Sequence, residues 1–308
     1  MTVTNPVRGA LGSLDQGDVW LSSEPMTADA LRGRVVLVDF WTYSCVNWLR
    51  TLPYVRAWAE KYADQGLVVV GVHAPEFGFE HNLDNVRRAV TELGVGYPVV
   101  IDNDFAIWRS FDNHYWPALY LLDGDGQVRF HHFGEEAYAE SERAIQELLG
   151  VDGELVRPDA GGLFAPADWD KLRSPETYVG YLRGERRNEL SAGELPLNGW
   201  ALAGGWTVDE ESAVLDGAGG SIAYCFEGRD VNLVVAPADD GGTVRFTVLL
   251  DGQPPGDDHG LDVDESGAGT VSEPRMYQLI RQSGPTRRRT FEISFLDPGV
   301  RAYVFTFG

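Results

Sequence analysis

Cys45 lies where an apolar run, "RVVLVDFW" (34–41), gives way to a helical pattern that begins at Val46. A thiol at such a junction sits at a helix N-terminus, where unpaired backbone N–H groups and the helix dipole favour the thiolate. A dithiol redox motif of the Cys-x-x-Cys kind would place a resolving thiol three residues on. Here the stretch reads Cys45-Val46-Asn47-Trp48, with tryptophan in the resolving position. Exchange chemistry would then run on Cys45 alone. The alternative is a small buried core residue, as free cysteines often are, but the position between a strand end and a helix start favours the functional reading.

The chain has one other cysteine, Cys225. A Cys45–Cys225 disulfide needs Cα atoms within about 7 Å, so this pairing stays open at the level of sequence. Two distant cysteines make no zinc site, and the paired His131 and His132 point to opposite faces of a strand. No metal and no cofactor are expected.

The elements that must position Cys45 alternate in type. Residues 1–30 read as irregular. The 34–41 strand is followed by a helix at 46–63, a strand at 67–74, a helix at 82–94, a strand at 97–102 and a short helix at 105–111. Strands at 117–123 and 127–134 flank Gly124-Asp125-Gly126, a hairpin signal, and a helix at 137–150 closes the unit. In the 46–63 helix, Val46, Leu49, Leu52, Val55, Ala59 and Tyr62 recur at three- and four-residue steps, and Gly66 is a stop. Pro53 falls inside this pattern and should kink it. Continuous apolar strands between helices predict an α/β unit with a buried, mostly parallel sheet and an antiparallel hairpin edge.

Prolines at 158, 166 and 175 mark a linker, in which Ser174-Pro175-Glu176 reads as a helix start. From Leu195 the texture becomes short strands and Gly/Asp turns, about eight strands in all. That predicts a β-sandwich of jelly-roll type. The expected division is 1–155, a linker at 156–191 and 192–308.

A length of 308 residues suits two domains, and 44% hydrophobic content is ordinary for a globular chain. The net charge of −22 is spread along the chain and argues against nucleic acid and anionic membrane as partners. Arg287–Arg289 is the basic exception and reads as a solvated turn. No apolar run approaches the ~20 residues of a membrane span. The first twenty residues lack a basic and an apolar segment of signal-peptide type, so a cytoplasmic location is expected.

The stretches "VVLVDFWTYSC", "LVVVGVHAPEF", "YPVVIDND", "YWPALYLLD" and "SPETYVGY" resemble the DipZ-type thioredoxin-like proteins, within the TlpA-like and peroxiredoxin-like group. The β-rich half, ending in "GVRAYVFTFG", resembles that family's appended carbohydrate-binding-module-like domain. The resemblance implies a thioredoxin fold, thiol–disulfide exchange with protein or small-molecule thiols and disulfides, and a peptide-binding cis-proline at Pro117 after Trp116. It also implies a glutamate near the thiol, matched to Glu76. Trp41, Thr42, Trp48, Glu76, Trp116 and Pro117 would then surround Cys45. Trp48 departs from the family's second cysteine, and a mixed disulfide on Cys45 would need an external thiol for its release.

Two further readings stand beside the monothiol oxidoreductase. One is a redox-inert docking protein on the same fold. The other is a one-cysteine peroxidase, suggested by Thr42 three residues before Cys45 and opposed by Val38 where peroxiredoxins carry proline. In the β-rich half, Trp200, Trp206, Tyr224 and Tyr277 could stack on a sugar or simply form the core. The acidic loop at 257–269 could hold Ca²⁺ or be a solvated turn.

Overall fold

The computed structural model describes residues 11–17, 19–185, 187, 195–238 and 241–308. The first ten residues, part of the segment read for signal-peptide features, lie outside them, as does most of 186–194. The chain divides into two units, Met1–Phe164 and Ala165–Gly308.

In the first unit, β2 (Val35–Trp41) and β3 (Leu67–His73) run parallel through seven residue pairs at the centre of a sheet. β4 (Val99–Ile101) continues the parallel part, while β5 (Ala118–Leu122) and β6 (Val128–Phe133) form the antiparallel hairpin edge. A two-residue strand, β1 (Trp20–Leu21), pairs antiparallel with β4, giving the order β1-β4-β3-β2-β5-β6. The first thirty residues are therefore not irregular throughout. Leu11–Gln16 forms a 3-10 turn, and Thr27 caps the short α1 (Ala28–Leu31) by accepting from Ala30 N. Segments this short carry too little periodicity to be read from sequence.

Every residue of β2 is buried, as expected of a strand covered on both faces. Its even-numbered residues Val36, Val38 and Phe40 join Val70, Val72, Ala118 and Tyr120 in one apolar layer. The odd-numbered face carries Asp39 and Trp41. α2 (Val46–Tyr62) runs continuously through Pro53, which cannot donate to the Leu49 carbonyl. Five of its six expected apolar positions are buried, and Ala59 is half-buried. Trp48, Arg50, Thr51 and Trp58 are buried as well. Gly66, at φ +105°, turns the chain out of the helix and into β3. α3 (Leu83–Glu92), α4 (Ala106–Ser110) and α5 (Tyr138–Leu149) fall within their expected ranges.

The second unit holds eleven strands among its described residues, in two antiparallel sheets. One sheet is ordered β15-β12-β17-β10-β9, with β7 added against β17: Arg275–Arg281, Asp230–Ala236, Arg301–Phe307, Ala213–Leu215, Trp206–Val208 and Thr177–Tyr178. The other is β14-β13-β16-β11-β8: Ala268–Val271, Val244–Leu250, Arg288–Phe295, Ser221–Glu227 and Trp200–Ala203. Leu233, Val235, Phe305 and Phe307 from the first meet Tyr224, Phe226, Phe246 and Phe291 from the second in one core, as a sandwich requires.

Several expectations change here. The Ser174 segment does not start a helix; Thr177 and Tyr178 pair with Phe305 and Val304, so strand pairing overrides the local signal. Trp200, Tyr224 and Tyr277 belong to the core and cannot stack on a sugar. Trp206 is half-buried, its indole donating to the Ala203 carbonyl at 2.9 Å. Arg288 and Arg289 open β16, and Arg289 pairs with Asp251 and Asp258, both at 2.8 Å. In the acidic loop, Asp258 also accepts from Ser283, Asp262 from Arg275 and Gln278, and Asp264 from Ser266 and Ala268. These carboxylates are already engaged within the protein, which favours the turn over a Ca²⁺ loop.

Candidate active site

Cys45 is the N-cap of α2, with extended backbone at φ −74° and ψ 114°, and its carbonyl accepts the first helical bond from Leu49 N at 3.0 Å. The N–H groups of the first turn have no partner within the helix, so positive potential falls on this residue. The residue is half-buried, and Sγ lies 3.7 Å from the Trp116 carbonyl oxygen, to which the thiol donates. The Trp116–Pro117 peptide is cis, and Pro117 is buried. Trp116 is tied to the end of β3 by its indole, which donates to the Ala74 carbonyl at 3.0 Å. Beside it, Tyr115 and Phe133 are exposed, with their rings 5.0 Å apart.

Trp48, in the resolving position, points inward. It is fully buried and stacks on Trp41 at 4.2 Å between ring centroids, and its indole donates to Asp39 Oδ2 at 3.1 Å. Tyr97 donates to the same oxygen at 3.1 Å. Burial, only partly offset by the bonds from Trp48 and Tyr97, pushes the Asp39 pKa up to about 6. Gly71 faces Asp39 across the β2–β3 ladder, and a Cβ there would meet the Trp41 indole nitrogen at 2.8 Å. The glycine is what leaves room for the indole. Next along β3, His73 packs edge-on against Trp41 and is wholly buried; neither ring nitrogen has a hydrogen-bond partner among the described residues. Burial, with the charge of His81 adding to it, pushes its pKa down to about 3, so the ring is neutral.

The carboxylate next to the Cys45 loop is Glu80, which the sequence reading missed. It stands on the 3-10 turn Gly78–His81 and is fully buried. Its Oε1 accepts from Ser44 Oγ at 2.6 Å and from Ser44 N at 3.4 Å; its Oε2 accepts from Glu76 N at 2.6 Å and Phe77 N at 3.1 Å. The Thr42 hydroxyl, also fully buried, faces the same carboxylate without completing a bond of good geometry. Burial, reinforced by the charge of Glu76 and partly offset by Ser44, Thr42 and the Glu76 amide, pushes the Glu80 pKa up to about 7. Glu76, the residue expected here, supplies this cluster with its backbone amide. Among the described residues no group of three or more side chains could hold a metal ion, and both cysteines are free thiols, so the Cys45–Cys225 disulfide is not formed. Cys225 is buried in β11 and accepts from Arg288 Nε at 3.0 Å.

Residues 18–148 match the redoxin family and residues 174–308 match a thioredoxin-like C-terminal domain. Protein DipZ of Mycobacterium bovis is 38% identical over 251 residues, an alignment covering 76% of this chain and 35% of DipZ. The chain thus spans about a third of the length of that relative. Thiol-disulfide oxidoreductase YkuV of Bacillus subtilis is 28% identical over 143 residues, covering 46% of this chain and 96% of YkuV. Among solved structures, a thioredoxin-like protein determined in solution in its oxidized form is 29% identical, with a TM-score of 0.40, over 44% of this chain and 91% of its own. The first unit is a thioredoxin-like fold of the redoxin family. The chain is a DipZ homologue: a redoxin domain followed by a thioredoxin-like C-terminal domain.

Proposed function

We propose that the chain carries out thiol–disulfide exchange with Cys45 as its single nucleophile. The observation that carries this reading is the pairing of a half-buried Cys45 at the N-terminus of α2 with Trp48, which is sealed into the core where a resolving thiol would stand. The Cys45 thiolate attacks a disulfide R–S–S–R′, forming Cys45–S–S–R and releasing R′–S⁻. A second, external thiol then attacks the Cys45–S–S–R bond, takes R into a new disulfide and returns Cys45 as thiolate. Electrons balance at each step, and the net reaction is exchange between two external partners. The Trp116 carbonyl and the exposed Tyr115 and Phe133 would line the approach to Sγ.

Partners trapped from the source cell should be released by reductant and absent with Cys45→Ser. Partners that survive the serine substitution and ignore reductant would establish instead a docking protein, the second reading, which the exposed pair Tyr115 and Phe133 favours. The peroxidase reading loses ground because Thr42 is buried against Glu80. The compartment that suits the cycle is the cytoplasm, where small thiols that would release Cys45 are abundant. No helix among the described residues is long and apolar enough to cross a membrane. A membrane-impermeant maleimide should leave Cys45 unlabelled in intact cells and label it after lysis.

A further inference from the structure

We propose that Arg50 and Glu135 are positioning residues for exchange at Cys45: their buried ion pair locks the loop after β6 onto α2 and so fixes the Trp116 carbonyl against Sγ. This rests on Cys45 being the nucleophile of the exchange. The contacts close a ring. Sγ lies 3.7 Å from the Trp116 oxygen, and the carbonyl of the next residue, Pro117, accepts from Gly134 N at 2.8 Å. Glu135 follows Gly134, and its Oε1 accepts from Arg50 Nη1 at 2.8 Å. Arg50 stands on α2, five residues after Cys45, which returns the ring to its start. Two further contacts brace it. His132 Nε2 lies 3.0 Å from the Glu135 carbonyl oxygen, and the Tyr138 hydroxyl donates to the Arg50 carbonyl at 3.4 Å.

Two observations set this pair apart from an ordinary stabilising contact. Both side chains are almost fully buried, and a buried pair seldom outperforms apolar residues of the same volume, because desolvation of two charges offsets their attraction. What it supplies is direction, since a planar guanidinium holds a carboxylate in one orientation. The loop it holds is also strained: Glu136 and Ala137 have left-handed backbone, at φ +73° and +47°, which non-glycine residues adopt at a cost. Strain of this kind persists only where the surroundings fix the chain, and here it lies between Glu135 and the start of α5. The carbonyl so placed matters more to a disulfide than to a compact reagent. A disulfide carries a substituent on each sulfur and must bring both sulfurs into line with Sγ, so a shift of about 1 Å in the wall beside Sγ is strongly felt. Iodoacetamide presents one small carbon.

The experiment compares two neutral probes of Cys45, hydroxyethyl disulfide and iodoacetamide, in a Cys225→Ser background. The Cys45 thiolate attacks one sulfur of the disulfide, the S–S bond breaks, and mercaptoethanol leaves as its thiolate while Cys45 keeps the other half. The quantity read is the ratio of the two second-order rate constants, from which the thiolate fraction cancels. Arg50→Met combined with Glu135→Leu removes both charges and leaves neither unpaired. The ratio of disulfide to iodoacetamide rates should fall about ten- to a hundredfold, the scale of a small misplacement at a reacting centre, with alkylation unchanged. A ratio that holds or rises in the folded double variant overturns the proposal while leaving Cys45 as nucleophile. Should the double variant fail to fold, Arg50→Lys gives the answer. Lysine keeps the charge and the pair but not the planar grip, so the ratio must still fall, and a wild-type ratio overturns the proposal. Wild type that alkylates only after unfolding, or that alkylates yet reacts with no disulfide, would instead overturn the exchange reading, and the proposal with it.

Discussion

At the scale of single residues, Trp48 decides most. It fills the resolving position with a fully buried indole, stacked on Trp41 and bonded to Asp39. Trp48→Cys places a thiol one helical turn from Cys45 and empties a large core volume. The variant should gain turnover in an insulin-reduction assay in which wild type has little, and should lose about 3–5 kcal/mol of stability in urea unfolding. Robust wild-type turnover that persists in Cys225→Ser would remove Trp48 from the explanation.

His73 carries a second residue-scale prediction, of defined sign. Its folded-state pKa, about 3, lies below the ordinary 6.5, so the unfolded chain takes up a proton first. Stability is therefore lost as pH falls from about 6.5 toward about 3, and His73→Phe should unfold at lower pH than wild type. Asp39 has the opposite sign: its pKa is raised from 3.8 to about 6, so stability is lost as pH rises through that window. Asp39→Asn keeps an acceptor for Trp48 and Tyr97 but cannot ionise. Its stability relative to wild type should improve as pH is raised from 4 to 7, measured by urea midpoints.

At the scale of elements, α2 is held at both ends by buried side chains. Near Cys45, Arg50 pairs with Glu135 at 2.8 Å, with both side chains almost fully buried. At the far end, Glu142 of α5 accepts from Tyr62 at 2.6 Å, Lys61 at 2.9 Å, Trp58 at 3.2 Å and Val156 N at 2.8 Å. Burial opposes its charge, but these donors outweigh burial and hold its carboxyl below the usual range. One carboxylate thus joins α5, α2 and the segment that follows α5. Removing it strands several buried donors, so Glu142→Ala should cost about 3–5 kcal/mol. It should also open the chain near Val156 to protease before the rest of the domain unfolds.

At the scale of the whole molecule, the net charge of −22 acts on any charged partner that approaches Cys45. A cationic disulfide such as cystamine should react with Cys45 faster than dithiodiglycolate, its anionic counterpart. The difference should shrink as salt shortens the range of the field, to about 8 Å at physiological strength. Equal rates at low salt would mean that local groups, not the overall charge, control access.

Much of this protein was written locally in its sequence. The strand, cysteine and helix around Cys45 follow from a continuous apolar run and a three- and four-residue period, signals contained within a dozen neighbouring residues. The change from alternating elements to short strands likewise announced the sandwich. The tertiary structure alone decided which polar groups were buried together. Glu80 meets Ser44 across 36 residues and Tyr97 meets Asp39 across 58, and no local pattern marks either pair. Glu76 and Glu80 are both acidic residues after the same strand; only the packed loop shows that Glu80 turns its side chain inward while Glu76 contributes its amide. Ser174 carried a helix signal that lost to pairing with β17, because a ladder bond to a distant strand outweighs a cap. Periodicity records which face of an element is apolar. Which distant carboxylate is shut in beside a thiol is settled by the packing of elements, where burial and the need to satisfy every buried donor act together.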